Sequence, residues 1–254
     1  MEPLLCFLGE DPRTPWVKAR MSGYQPGNLD TATHIILPVP AFDRQGNIRG
    51  GPPLGEFTRC FRPGLTIFGG NLGPCLAPAA EAGTAAIDLL ADESLTAANA
   101  AVTAEGAVGL AMAHLTITLA GAPVLVIGWG RIGKLLSRKL QALGARATVS
   151  ARRPQDLAML QALGYATEIT GNWKHLPDYR VIFNTVPAPV LEDTAATNPK
   201  CLLIELASAP GGITPTGRRT LLQAQGLPGK TAPETAGNLV AEAILRHLTE
   251  GGKI

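Results

Sequence analysis

The sequence predicts an α/β protein with a doubly wound parallel sheet and a smaller N-terminal α/β domain, joined by a long helix. Three observations support this prediction. Short apolar runs alternate with helix-length segments from Ala122 onward, one of these runs is followed by a complete glycine-rich turn, and an alanine-rich segment of helical length precedes them. Strands separated by helices of this length form parallel β-α-β units with right-handed crossovers.

Composition excludes several classes of protein. The chain has 254 residues, and its 22 Lys+Arg against 20 Asp+Glu give a formal net charge of +2, too small to indicate a nucleic-acid-binding surface. The four cysteines are scattered, with no C-x-x-C pair, which is typical of reduced thiols and predicts no metal site. The N-terminus lacks the basic leader of a signal peptide, so we expect a cytoplasmic protein.

The first domain is predicted from its apolar runs. Residues 4–8, 34–39 and 65–68 have the composition of short strands and are separated by turn residues, so we place an N-terminal α/β domain at residues 1–96. Residues 233–250 show apolar side chains at helical spacing, and we expect this last helix to join the first domain.

A long helix at residues 96–119 is predicted to open the second domain, residues 97–232. Thr96 is the expected N-cap, and Gly121 with Pro123 supplies the stop. From Gly106 to Gly130 no residue is charged, and this stretch is long enough to cross a bilayer. Because the glycine and proline interrupt the run, we interpret it as a buried helix, a turn and a buried strand, with no membrane span.

The glycine-rich turn predicts a dinucleotide-binding Rossmann domain. It directly follows the apolar run Val-Leu-Val-Ile and opens a helix, as the fingerprint G-x-G-x-x-G requires. The first glycine permits the tight turn, the second leaves room for a pyrophosphate, and the third lets the helix pack on the strand. The anion would lie at the positive end of that helix. The predicted phosphate loop comprises Gly128, Trp129, Gly130, Arg131, Ile132 and Gly133.

The next strand indicates which coenzyme is preferred. NAD-binding domains carry an acidic residue about 20 positions after the glycines, but no carboxylate occurs between Gly133 and Asp156. Instead the strand ends near Ser150, Arg152 and Arg153, which suit the 2′-phosphate of NADP. We therefore predict NADP over NAD. The alternative is that the arginines are solvated charges at a helix start.

Two further loops follow predicted strands of the same sheet. The strands at residues 181–185 and 202–206 should end at the same edge as the glycine turn, where open α/β sheets bind ligands. We expect these loops to approach the ribose and nicotinamide, although either could be a simple turn. The additional predicted coenzyme contacts are Asn184, Thr185, Val186, Pro187, Ala207 and Ser208.

Four blocks of sequence resemble the family of dipicolinate synthase A subunits. They are Thr-Ala-Glu-Gly at 103–106, the glycine loop, residues 204–212, and Gly-Leu-Pro-Gly-Lys-Thr-Ala-Pro-Glu-Thr-Ala-Gly at 226–237. The resemblance implies a layout like that of 2-hydroxyacid dehydrogenases and an NAD(P)-dependent oxidation of a dihydrodipicolinate-type ring. It also implies a small dicarboxylate heterocycle as substrate, a second, flavoprotein-like subunit, and a location in the mother cell of a sporulating bacterium.

One departure from the family concerns substrate binding. Members tend to carry Arg just before Pro-Gly-Gly, where this sequence has Ala209. We expect Lys230, Arg44 or Arg49 to supply the missing carboxylate anchor instead.

Three residues are candidates for the chemistry. Glu105 lies in a charge-poor helix, where burial without a partner is costly, so it is a candidate proton acceptor. Thr103 could donate a hydrogen bond to a substrate carboxylate, and Lys230 follows Pro-Gly in a predicted loop. Each also has an ordinary interpretation: a helix-surface hydrogen bond, a packed threonine and a solvated lysine.

Other functions are also compatible with the sequence. A 2-hydroxyacid reductase would need an Arg, Glu and His set that the spacings do not provide. A shikimate-type reductase needs a Lys–Asp pair, and Lys18, the lysine of the first domain, lacks the expected motif. The chain could also be a non-catalytic NADP-binding subunit. A homo-oligomer is compatible with the sequence, which does not specify the oligomeric state.

Overall fold

The computed structural model describes residues 2–217 and 219–250. The chain divides into two compact units. The first contains the residues up to Asn99 together with those from Pro228 onward, and the second contains the residues from Ala100 to Leu227. The chain thus leaves the first unit along a helix, builds the second, and returns to the first at its end.

The elements follow one another in a mainly alternating order. In chain order they are β1 (Leu4–Phe7), α1 (Thr14–Arg20), β2 (Gln25–Pro26), β3 (His34–Ile36), α2 (Leu54–Phe57), β4 (Thr66–Gly69), α3 (Gly73–Glu81), β5 (Ala85–Asp88), α4 (Glu93–His114), β6 (Pro123–Ile127), α5 (Arg131–Ala142), β7 (Arg146–Ala151), α6 (Pro154–Ala162), β8 (Ala166–Ile169), β9 (Val181–Asn184), β10 (Leu202–Glu205), β11 (Thr220–Gln223), α7 (Leu227–Thr231) and α8 (Pro233–Glu250).

The first unit is built on a parallel sheet with the order β2-β1-β3-β4-β5. This is the order of flavodoxin-like doubly wound folds. Helix α8 buries Val240 and Ile244 in the same apolar cluster as Val17 of α1 and Leu5 of β1. The terminal helix is therefore part of the core of this unit.

The second unit is a six-stranded parallel sheet with the order β11-β10-β9-β6-β7-β8. Its central strands β6, β9 and β10 are almost entirely buried, which explains why they appear in the sequence as continuous apolar runs. The order reverses between β6 and β9, and ligands of open α/β sheets bind at such a switch point, beyond the carboxyl ends of the strands. The predicted α/β class, with a Rossmann sheet and a second α/β unit, is confirmed.

The long helix differs from the prediction at both ends. It begins at Glu93 because the Asp92 carboxylate accepts hydrogen bonds from the backbone N–H groups of Ser94 (2.8 Å) and Leu95 (3.1 Å). Thr96 is therefore not the cap; its hydroxyl donates to the Asp92 carbonyl inside the first turn. Such side-chain acceptors satisfy N–H groups that lack a partner within the helix.

The uncharged segment contains the end of this helix, a turn and a strand. The helix ends at residue 114 and β6 begins at Pro123, as the helix, turn and strand interpretation requires. No helix in the described ranges is both long and apolar enough to span a bilayer.

Candidate functional site

The turn after β6 has a conformation that requires glycine. Gly128 has a φ of +103°, in the region that L-residues rarely adopt. A Cβ atom at this position would lie 2.5 Å from Thr185 Oγ1 and 2.7 Å from a methyl group of Val186. The N–H of Gly128 donates to the carbonyl of Ser150 (3.0 Å), so the turn is held against the neighbouring strand.

The other two glycines of the turn have opposite surroundings. A Cβ atom on Gly133 would lie 2.1 Å from the Gly128 carbonyl oxygen, so only glycine allows α5 to approach the turn this closely. A Cβ atom on Gly130 would meet nothing within 4 Å. Gly130 is the N-cap of α5, which has no side-chain cap and no acidic residue in its first turn. Open space thus lies at a positive helix end, and it fits a diphosphate.

The remaining residues of the loop have different environments. The Trp129 ring meets Tyr165 edge to face, with 5.9 Å between centroids. Lys134 Nζ lies 5.8 Å from the Trp129 ring centroid. Arg131 is exposed, and Ile132 packs against the core of the unit. The loop's apolar side chains therefore help to anchor it to the protein.

The three predicted phosphate ligands at the end of β7 differ in their hydrogen bonds and exposure. The Ser150 side chain is buried, and its hydroxyl lies 2.9 Å from Thr170 Oγ1, which argues against direct contact with a phosphate. Arg153 donates two hydrogen bonds to the Asp156 carboxylate (2.7 and 2.9 Å), and these bonds hold the pKa of Asp156 below its usual range. Arg152 is exposed and forms no hydrogen bond or ion pair within the described part of the chain.

The loop after β9 is braced against the glycine turn. The buried Asn184 amide donates to the Val186 carbonyl (2.9 Å), while its oxygen accepts the Val186 N–H (3.0 Å). Thr185 Oγ1 donates to the Ile127 carbonyl (2.8 Å) beside Gly128. The structure thus brings the Asn184–Pro187 segment next to the phosphate turn, and leaves Pro187 exposed.

Sequence reasoning missed a buried carboxylate at the end of β10. Glu205 is 1% exposed. Its oxygens accept hydrogen bonds from the Asn184 side chain (2.7 Å) and from the N–H groups of Ala207 (3.1 Å), Gly212 (2.8 Å) and Ile213 (3.1 Å). The signal was a lone acidic residue ending the apolar run Leu-Leu-Ile-Glu. A carboxylate there is costly unless backbone donors surround it.

The loop that Glu205 organises carries the last two predicted coenzyme contacts. Ala207 is buried, whereas Ser208 is exposed and its carbonyl accepts the Gly211 N–H (2.9 Å). The loop therefore presents Ser208 and the next two residues to solvent, while its two ends are buried.

The predicted catalytic residues do not form a cluster in one unit. The Glu105 side chain is 80% exposed, and its carboxylate lies 3.2 Å from Lys139 Nζ. This contact fits the helix-surface interpretation of Glu105, and its role as proton acceptor stays a prediction. Thr103 is buried on the same helix. Lys230 is exposed in the first unit, on α7 rather than in a loop.

The alternative carboxylate anchors also lie in the first unit, between β3 and β4. Arg44 is exposed. Arg49 is half-buried, and its Nη1 lies 3.4 Å from the Pro40 carbonyl. Both arginines therefore retain hydrogen-bond donors for an anion.

Comparison with known proteins gives consistent results for sequence and structure. No family model matches the chain. The A subunit of dipicolinate synthase from Bacillus subtilis (strain 168) is 36% identical over 180 residues, which are 68% of this chain and 60% of that protein's length. The crystal structure of the same subunit from Bacillus halodurans has 25% identity and a TM-score of 0.83, with 97% of each chain covered. That of the Bacillus subtilis protein has 26% identity and the same TM-score, with 98% of this chain and 97% of the other covered.

The chain belongs to the family of dipicolinate synthase A subunits. The four blocks that carry the sequence resemblance include the glycine turn and the Glu205 loop, so the two best-organised parts of the sheet edge are also parts of the family resemblance. The fold extends beyond dipicolinate synthase. A transhydrogenase from Sinorhizobium meliloti, 16% identical, superposes with a TM-score of 0.70 over 97% of this chain and 94% of that one, which shows the fold alone.

Proposed function

We propose that this chain binds NADP at the carboxyl edge of the second unit's sheet and oxidises a dihydrodipicolinate-type ring to dipicolinate. It would act with a second, flavoprotein-like subunit in the mother cell of a sporulating bacterium. The relatives are named as one subunit of a synthase, which supports a partner. The single observation that carries the proposal is the open space at Gly130, at an uncapped helix start in a member of this family.

The glycine turn supports a dinucleotide rather than an ordinary strand-to-helix connection. An ordinary connection does not require glycine where the backbone is open, as it is at Gly130. A diphosphate does require it, because its oxygens must approach the backbone N–H groups closely. Residues of the turn and the first turn of α5 would hold the diphosphate, and the bound coenzyme would supply the hydride acceptor.

The end of β7 supports NADP over NAD. NAD-binding domains place a carboxylate here to bind the ribose hydroxyls. In this chain the next carboxylate along the sequence, Asp156, is already bound to Arg153 through two hydrogen bonds. Arg152 keeps its guanidinium available for a 2′-phosphate, to which arginine forms charge-assisted hydrogen bonds.

The reaction makes modest demands on the protein. A dihydrodipicolinate ring differs from dipicolinate by two hydrogen atoms, so its oxidation releases one hydride to the nicotinamide and one proton. Because the product ring is aromatic, the loss of the proton needs no strong base. The protein's main tasks are to orient the ring and to neutralise its carboxylates. Arg44, Arg49 and Lys230 are the proposed anchors.

Turnover tests the proposed reaction directly. The purified chain is supplied with NADP and 4-hydroxytetrahydrodipicolinate, which yields the dihydro ring by loss of water, with and without the second subunit. We expect dipicolinate and NADPH to appear in equal amounts, measured by ultraviolet absorbance. Absence of product under both conditions would overturn the proposed reaction, while product formed only with the second subunit would assign the chemistry to the complex.

Coenzyme preference is tested by the two neighbouring arginines. Arg152→Ala should raise the Kd for NADP by about tenfold or more and leave the Kd for NAD within about twofold, since only NADP has the 2′-phosphate. Arg153→Ala is the matched control and should have the smaller effect, because Asp156 already binds that guanidinium. Isothermal titration measures both. A wild-type Kd for NAD equal to or below that for NADP would refute the preference.

A further inference from the structure

The carboxylate of Glu205 is a buried acid without a cationic partner. Its side chain is almost completely enclosed, and among the described residues no lysine, arginine or histidine forms an ion pair with it. A buried carboxylate is costly unless hydrogen bonds replace its hydration. At this position all of those bonds come from N–H groups. Glu205 thereby differs from Asp11 in the first unit, whose carboxylate pairs with Arg13.

The two carboxylate oxygens connect two separate loops. Oε1 accepts the Asn184 Nδ2–H (2.7 Å) and the Ala207 N–H (3.1 Å). Oε2 accepts the N–H groups of Gly212 (2.8 Å) and Ile213 (3.1 Å). The loop after β10 therefore begins and ends on one carboxyl group, and the same group holds the loop after β9.

Glycine lets the second loop wrap this closely around the acid. A Cβ atom on Gly211, which has a φ of +82°, would lie 3.0 Å from Glu205 Oε2. A Cβ atom on Gly212 would lie 2.5 Å from the Ala188 carbonyl and 2.6 Å from Asn184 Nδ2. The Pro-Gly-Gly sequence is thus explained by close packing around a carboxylate, independently of any ligand.

The same hydrogen bonds continue to the phosphate turn. Asn184 holds both backbone groups of Val186, and the intervening Thr185 donates to the Ile127 carbonyl beside Gly128. Glu205 is thereby connected, through Asn184, to the segment that contacts the glycine turn. The exposed Ser208 lies on the loop at the other end of this network.

We propose that Glu205 is the positioning residue for the nicotinamide end of the coenzyme, because it sets the backbone of residues 207–213 relative to the loop after β9. This role rests on the coenzyme function proposed above. It requires an acceptor at both oxygens: in Glu205→Gln an amide –NH₂ replaces one oxygen. That group would face donors at Asn184 and Ala207 or at Gly212 and Ile213.

The binding of two ligands distinguishes a positioning role of Glu205 from a general loss of stability. NADP carries the nicotinamide, whereas 2′,5′-ADP has only the adenosine end and does not reach this loop. We expect Glu205→Gln to raise the Kd of NADP by about tenfold, the cost of one lost charge-assisted hydrogen bond, and to leave that of 2′,5′-ADP within about twofold. Isothermal titration gives both constants for the folded protein.

A second buried carboxylate of the same unit provides the matched control. Glu168 is 5% exposed and accepts the N–H groups of Lys174 and His175 and the Tyr179 hydroxyl, at the end of β8. Glu168→Gln should leave the ratio of the two dissociation constants unchanged.

A measurement on the wild-type chain covers the case in which Glu205→Gln does not fold. Hydrogen exchange of the amides of residues 207–213 should slow when NADP binds and stay unchanged with 2′,5′-ADP. An unchanged ratio of dissociation constants in Glu205→Gln, an equal loss for both ligands, or exchange that does not respond to NADP would each overturn the role of Glu205. Failure of the wild-type chain to bind either ligand would overturn the coenzyme function itself, and this role with it.

Discussion

The two sheets of this chain have different side chains at the points where their strand order reverses. In the first unit the strand order reverses between β1 and β3, and in the second between β6 and β9. Doubly wound sheets bind ligands at such points. In the first unit an ion pair fills the position, whereas in the second the position is lined by glycine and left open. Topology thus offers a binding crevice, and the side chains beyond the strands decide whether it is used.

The ion pair at the first switch point joins the loops after β1 and β3. Arg13 donates to both Asp11 oxygens (2.7 and 2.6 Å) and to the Val39 carbonyl, while the Asp11 carboxylate accepts the Val39 N–H (3.0 Å). The cavity that remains beside the pair measures about 10 Å³, barely enough for one water molecule. Gly9 closes the same edge, since a Cβ atom there would lie 2.6 Å from the Arg49 carbonyl.

The largest expected effect comes from breaking this ion pair. Asp11→Asn leaves the buried Arg13 guanidinium without its counter-charge, and we expect the free energy of unfolding to fall by about 3–5 kcal/mol, as for other buried pairs that lose one partner. Urea denaturation measures the change. The control is Asp156→Asn, which breaks the solvent-exposed pair with Arg153 in the second unit and should change stability much less. Equal losses would contradict the contrast between the two edges.

The glycines of the open switch point give an intermediate effect. Gly133→Ala should reduce the free energy of unfolding by about 1–3 kcal/mol, because the new methyl group overlaps the Gly128 carbonyl and the helix must move. Gly130→Ala should cost less than about 1 kcal/mol, the loss of a preferred N-cap residue. It should nevertheless weaken NADP binding by about tenfold, since the methyl group enters the space for the diphosphate. Similar stabilities for the two variants would refute the assigned packing.

The smallest expected effect is the acid dependence of the first unit. Burial alone would raise the pKa of Asp11, but hydrogen bonds from Arg13, its charge and the N–H groups of Val39 and Arg13 outweigh burial, and the pKa is lowered. A depressed carboxyl pKa stabilises the folded state above the unfolded pKa of about 3.9, and this contribution is lost as the pH falls through the folded pKa. The stability difference between wild type and Asp11→Asn should therefore shrink below about pH 4. A difference that stays constant down to about pH 2 would contradict this.

At the open edge, the sequence predicts the local structure wherever the backbone geometry admits a single residue type. Glycine at 128, 130 and 133 directly after an apolar run specifies a turn, an opening and a close helix, and the backbone has each of them. The position of Asn184 at the end of its strand was predicted from the sequence for the same reason. These predictions depend on local geometry alone, which the chain encodes within a few residues.

The burial of individual side chains could not be predicted from the sequence. The helical spacing around Glu105 could not reveal which face of α4 meets solvent, because nearly all neighbours are small and apolar. Ser150 was placed at a strand end, but its alternate position along the strand turns the hydroxyl inward to Thr170. Glu205 escaped notice because three of its donors are backbone N–H groups up to eight positions away, and the fourth is the Asn184 side chain on another strand. Such partners are specified by tertiary folding, and residue types do not reveal them.

Asp156 gives an engineer a single adjustable position beside the proposed coenzyme site. Its carboxylate keeps Arg153 engaged, so only one of two adjacent guanidiniums is available to an incoming ligand. Shortening or neutralising residue 156 would release the second cation without altering the glycine turn. If NADP binds as proposed, we expect selectivity between the phosphorylated and unphosphorylated coenzymes to be tuned by a side chain that need not touch either one.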